Sequence, residues 1–96
     1  MNTSAEARPE PVDVIVGARI AARRREMGLS QSDLARALSI TFQQVQKYER
    51  GANRVSASKL YDIAAALRTP IAWFFEGLPA PEDSLPSRRT SHSSSA

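Results

Sequence analysis

The chain has 96 residues, no cysteine, 42% hydrophobic residues and a formal net charge of +3. That length allows one small domain. The missing cysteines exclude a disulfide framework, thiol catalysis and thiolate-held metal sites. The longest apolar stretch, Pro70–Phe75, is far short of a spanning helix, and no basic start leads into an apolar run. The expectation is a soluble cytoplasmic protein with no membrane partner.

In chain order, residues 1–11 hold two prolines and two glutamates without periodicity and read as a disordered N-terminal arm. Residues 12–77 form the folded segment. Asp13 is the predicted cap of a first helix, which runs to Met27 and stops at Gly28, with Val16 and Ile20 on one face. Ser30-Gln31-Ser32-Asp33 has the form of a capping box and opens a second helix carrying Leu34, Ala35 and Leu38. Thr41-Phe42-Gln43-Gln44 is a second such box and opens a third helix, with Val45 and Tyr48 inward, ending before Gly51. Ser56 caps a fourth helix with Leu60, Ile63, Ala64 and Leu67 inward. Thr69-Pro70 caps a fifth, ending near Glu76 and Gly77. Residues 78–96 contain Pro79, Pro81, Pro86 and a serine-rich end, and read as a disordered tail. No alternating run competes for strand, so the fold class is all-α.

Positive charge belongs to the folded segment. Residues 12–77 carry ten basic and six acidic residues, whereas the first eleven carry −1 and the tail is neutral. Within that segment, two short helices are separated only by Ser39-Ile40-Thr41. Leu34, Leu38, Ile40, Val45 and Tyr48 supply inward apolar positions, and Ala35 sits where the helices must approach closely. This is the logic of a helix-turn-helix. Arg23-Arg24-Arg25 lies at the end of the first helix, where positive charge is favourable by about 0.3–1 kcal/mol.

Gly28-Leu29-Ser30-Gln31-Ser32-Asp33-Leu34-Ala35, followed by Val45-Gln46-Lys47-Tyr48-Glu49-Arg50-Gly51, resembles the Cro and phage-repressor type of helix-turn-helix proteins, the xenobiotic-response-element family of bacterial regulators. The resemblance covers Val14 to about Glu76 and implies a five-helix, lambda-repressor-like DNA-binding domain. It departs at Ser39, where the family often has glycine because φ is positive. By the resemblance, the third helix reads base edges in the major groove through Phe42, Gln43 and Lys47, with Gln44 as a neighbour. Glutamine suits adenine, lysine suits guanine acceptors, and phenylalanine packs on a thymine methyl. Phe42 has a second reading, as a hydrophobic staple into the core. Gln31, Thr41, Arg50, Asn53 and Arg54 are the expected backbone contacts, which position the protein without reading sequence. Arg24 is implied to pair with Glu49, joining the first helix to the third.

Ile71, Phe74, Phe75 and Leu78 are spaced to share one face of the fifth helix, with Trp73 pointing elsewhere. More apolar surface stands here than one helix of a small domain can bury, so Ile71, Trp73, Phe74, Phe75 and Leu78 form the expected homodimer interface. The implied function is a dimeric, sequence-specific regulator of transcription, a repressor reading a palindrome in double-stranded DNA at the bacterial nucleoid. Two alternatives use the same fold: an antitoxin, and a protein-interaction adaptor. Leu85 as the one large apolar residue after Leu78 counts against the first, and the polarity of the third helix against the second. The single histidine, His92, lies in the serine-rich end, and no phosphate loop or metal-ligand cluster is present. No enzyme activity, metal, cofactor or small-molecule ligand is expected.

Overall fold

The computed structural model describes residues 10–79, and every regular element among them is helical. Four α-helices follow one another: α1 (Pro11–Glu26), α2 (Gln31–Leu38), α3 (Phe42–Arg50) and α4 (Ala57–Ala66). The predicted fifth α-helix is instead a 3-10 turn over Ile71–Phe75. The two expected disordered arms fall outside the described residues, apart from their inner ends.

Helix starts are fixed by side chains at three of the four α-helices. Ser30 and Asp33 form the complete box: the Ser30 hydroxyl accepts from the Asp33 amide at 3.0 Å, and the Asp33 carboxylate accepts from the Ser30 amide at 2.9 Å. Thr41 accepts from the Gln44 amide at 3.0 Å, but Gln44 does not reciprocate, so this is half a box. Ser56 accepts from the Lys59 amide at 3.1 Å. The predicted Asp13 cap is corrected. The cap is Glu10, three residues earlier, with Pro11 in the first helical position, where its fixed φ suits the turn and its missing N–H costs nothing. Asp13 lies in the first turn and faces Arg54 instead.

All four α-helices end alike. The residue after the last turn has a left-handed backbone, and two backbone amides close the turn onto earlier carbonyls: Gly28 and Leu29 after α1, Ser39 and Ile40 after α2, Gly51 and Ala52 after α3, and Arg68 and Thr69 after α4. Ser39 (φ 58°) and Arg68 (φ 52°) hold this geometry without being glycine. A side chain there costs about 1–2 kcal/mol, against about 0.5–1 kcal/mol of extra chain entropy for glycine. Ser39→Gly is therefore expected to raise stability by about 0.5–1 kcal/mol, read as a higher thermal midpoint. An unchanged or lower midpoint rejects the strain.

The Asp33 carboxyl is held below its usual pKa, first by the hydrogen bond from the Ser30 backbone and then by the Ser30 side chain; desolvation opposes them and Arg36 assists. A lowered folded-state pKa adds stability above the unfolded value of about 3.9, and that stability is lost as pH falls through the folded value. Asp33→Asn is expected to melt below the parent from about pH 5 upward, and the two midpoints should converge as pH drops through and below about 4. A constant gap across that range rejects the linkage.

The core gathers Val16 and Ile20 from α1, Leu34, Ala35 and Leu38 from α2, Val45 from α3, and Leu60, Ile63 and Ala64 from α4, with Leu67 and Phe74. Phe74 is 0% exposed. This corrects the expected interface set, because Phe74 belongs to this chain's own core. The 3-10 geometry is the reason. Its tighter winding drops Phe74 inward and splits its apolar neighbours. Ile71 (41% exposed) lies beside Tyr61 and Ala65 of α4, whereas Phe75 (40% exposed) lies beside Val12, Val55 and Leu60. Trp73 is half-buried, packs edge-on against Phe74 and lies under the Arg19 guanidinium at 5.6 Å. Arg19 also donates to the carbonyls of Trp73 and Glu76, taking acceptors a longer helix would need. Thr69, predicted as a cap, instead donates to the Leu67 carbonyl at 2.8 Å and accepts from Arg23 at 2.7 Å.

Candidate functional site

α3 has one buried residue, Val45, and is held mainly at its C-terminal half. There it crosses α1 at Gly17. A methyl group added to Gly17 would stand 2.2 Å from the Tyr48 carbonyl oxygen and 2.9 Å from that of Glu49. The two backbones are thus in contact, which only glycine permits. One turn earlier, Gly51 closes on α1, where a methyl would meet the Val14 Cα at 2.7 Å. The N-terminal half of α3 is left free to project outward. Sequence reasoning missed Gly17. The available signal was a glycine inside a helix, which costs about 1 kcal/mol against alanine unless packing requires it.

Glu49 is the single carboxylate on α3, and its side chain is 6% exposed. It accepts from Arg24 Nε at 2.7 Å, from a terminal Arg24 nitrogen at 3.1 Å and from Gln31 Nε2 at 2.9 Å. Arg24, 8% exposed, also donates to the Leu29 carbonyl at 2.8 Å. One cluster therefore ties α1, α2 and α3. The Glu49 hydrogen bond raises the Arg24 pKa further; burial opposes it and the Glu49 charge assists. The guanidinium stays charged throughout the accessible range.

With Glu49 turned inward, the outer face of α3 carries no negative side chain. Phe42, Gln43, Lys47 and Arg50 are exposed, as is the Thr41 cap, and Gln44 and Gln46 are half-buried. Phe42 is 40% exposed. The loop after α3 presents Asn53 and Arg54 beside this face, both exposed. Arg54 Nε lies 3.3 Å from the Asp13 carboxylate, and its side chain stays largely exposed. Gln44 Nε2 donates to Asn53 Oδ1 at 3.2 Å. Gln31 is half-buried, with one amide hydrogen committed to Glu49. Phe42, Gln43, Gln44, Lys47, Arg50, Asn53 and Arg54 thus come from one helix and the loop that follows it, while Gln31 touches them through Glu49. Ile71 and Phe75 belong to the 3-10 segment and Leu78 follows it, outside α3 and its loop. Among the described residues no group of His, Asp and Glu side chains is clustered to hold a metal ion, and no helix is long and apolar enough to cross a membrane.

Chemically, such a face offers amide donor–acceptor pairs, one ammonium, guanidinium groups and an aromatic ring, projecting on a narrow helix. Comparison with known proteins points the same way. A family model described as helix-turn-helix matches residues 20–74. The chain is 51% identical over 72 residues to an uncharacterized HTH-type transcriptional regulator of Sinorhizobium medicae, a match covering 75% of this chain and 52% of that protein. The chain spans about half the length of such curated relatives. It is similar in structure to the restriction-modification controller protein C.AhdI from Aeromonas hydrophila, with a TM-score of 0.62, 32% identity, and coverage of 65% of this chain and 94% of that one. It is also similar to SinR, the master regulator for biofilm formation, solved in complex with DNA, with a TM-score of 0.60, 26% identity, and coverage of 64% and 98%.

Proposed function

This chain belongs to the helix-turn-helix family of transcriptional regulators, and from that premise we propose that it is a sequence-specific reader of double-stranded DNA that represses transcription as a homodimer. The observation that carries the reading is the outer face of α3. Its only carboxylate is withdrawn into the Arg24–Gln31 cluster, and Gln43, Gln44 and Lys47 remain to meet base edges. An exposed carboxylate there would repel the phosphates on either side of the major groove. Gln43 and Gln44 offer the paired donor and acceptor that adenine requires, Lys47 suits guanine O6 and N7, and Phe42 suits a thymine methyl. Thr41, Arg50, Asn53, Arg54 and Gln31 serve the sugar-phosphate backbone, the last from the start of α2.

A second copy docks through the exposed Ile71 and Phe75 with Leu78 and Trp73 at their margin; Phe74 takes no part. Two-fold symmetry then sets two recognition helices about 34 Å apart, one turn of the duplex. SinR, to which this chain is similar, was solved in complex with DNA, which supports the DNA-reading part of the proposal. On this reading the protein works in the bacterial cytoplasm at the nucleoid.

Selection of duplexes from a random pool near physiological salt tests this reading, since low salt lets phosphate attraction dominate. A palindrome with half-sites about one helical turn apart is the expected result. Gln43→Ala and Lys47→Ala should each cost about 1–3 kcal/mol on the selected duplex and relax preference at one position per half-site. Weak, salt-sensitive binding without enrichment rejects sequence reading and turns attention to a protein partner.

A further inference from the structure

We infer that Asn53 is a positioning residue for base recognition, fixing which edge of the Gln44 amide is presented to DNA. The inference rests on the reading of α3 as a base reader and gives the loop residue a task beyond backbone contact.

The chain of hydrogen bonds has a direction. Asn53 Nδ2 donates to the Ala52 carbonyl at 3.2 Å, so Asn53 Oδ1 is the atom turned toward α3. That oxygen accepts from Gln44 Nε2 at 3.2 Å. A flipped Gln44 amide would set two carbonyl oxygens against each other, so the relay selects one orientation. Gln44 keeps its second Nε2 hydrogen and its whole Oε1, the donor and acceptor needed to pair with adenine N7 and N6.

Asn53 is itself fixed relative to α3. The amides of Ala52 and Asn53 both close onto the Lys47 carbonyl, at 2.9 and 3.4 Å, and Gly51 abuts the α1 backbone. A glutamine at the start of a helix otherwise samples many rotamers. Holding its amide before DNA arrives removes that ordering cost from binding. Phosphate contact alone would require none of this relay.

The test repeats duplex selection with the full chain carrying Asn53→Ala, Asn53→Asp or Gln44→Ala. Gln44→Ala identifies the base pair that Gln44 reads. Asn53→Ala should lose roughly ten-fold of the discrimination at that base pair and leave other positions unchanged. Asn53→Asp keeps an oxygen for Gln44 Nε2, so it should retain the preference while its charge weakens binding to every duplex alike. Both substitutions are at an exposed loop position and should leave the melting midpoint nearly unchanged. Unchanged base preference in Asn53→Ala overturns the inference; a uniform loss of affinity beside it, with the salt dependence unaltered because asparagine carries no charge, makes Asn53 a phosphate contact only. If the parent protein itself enriches no sequence, the base-reading premise fails, and the inference with it.

Discussion

A Glu49→Ala protein is expected to unfold roughly 15 °C or more below the parent, because removing one member of a buried ion pair costs about 3–5 kcal/mol. The cost comes from what stays behind. Arg24 is 8% exposed, its guanidinium faces the space Glu49 vacates, and the Leu29 carbonyl is its one remaining acceptor. Gln31 Nε2 loses its acceptor at the same time. Since total stability for a domain of this size is about 5–15 kcal/mol, the change takes a large share of it. Replacing both partners by apolar residues of similar size, as in Arg24→Met with Glu49→Leu, should recover most of the loss, since neither charge is then stranded. Affinity for the selected duplex should fall in Glu49→Ala even below its melting range, because α3 loses its tie to α1 and α2. Thermal denaturation followed by circular dichroism decides the matter. A midpoint within a few degrees of the parent would show that the cluster contributes little.

The second large effect lies at Gly17. Alanine normally favours a helix interior by about 1 kcal/mol over glycine, so sequence alone predicts that Gly17→Ala stabilises α1. The expected result here is the reverse. The new methyl would stand 2.2 Å from the Tyr48 carbonyl oxygen and 2.9 Å from that of Glu49. Those are backbone atoms of a hydrogen-bonded helix, so no rotamer change relieves the clash, and α3 must move as a unit. Overpacking of this kind costs about 1–3 kcal/mol, occasionally more, and rigid neighbours place it at the upper end. Net of the propensity gain, a loss of about 2 kcal/mol or more and a midpoint lower by roughly 10 °C are expected. If α3 reads DNA as proposed, affinity should fall further than the lost stability explains, because α3 sits displaced in whatever fraction folds. A raised midpoint would mean that the helices separate at no cost.

Much of this molecule was legible from local chemistry. Ser30, Thr41 and Ser56 are hydroxyl residues placed just before apolar periodicity, and each accepts an amide of its own helix's first turn. Gly28 and Gly51 mark helix ends because a left-handed residue closes those turns, and the short Ser39-Ile40-Thr41 link sets α2 against α3. The inward set Leu34, Leu38, Val45, Leu60, Ile63 and Leu67 follows from the 3.6-residue period, which acts within one helix at a time. The polar outer face of α3 follows from the same period.

Where the sequence reading failed, two distant segments compete for one group. Asp13 looks like a cap until α1 is seen to begin at Pro11 and Arg54, 41 residues away, approaches its carboxylate. The aromatic run after Pro70 reads as a helix face, but Arg19 of α1 takes its carbonyls and the core takes Phe74, leaving a 3-10 turn on which Ile71 and Phe75 stay exposed. Gly17 has no local signature beyond being a glycine in a helix. Capping and periodicity act over short range, so they suffice to place four helices, with limits to within three residues, and to give the outer face of α3 its polarity. How closely α1 and α3 cross, that Gln31 joins the Arg24–Glu49 pair and what Asn53 holds emerge with tertiary packing, because each depends on atoms that chain order keeps apart or on an amide orientation that spacing does not encode.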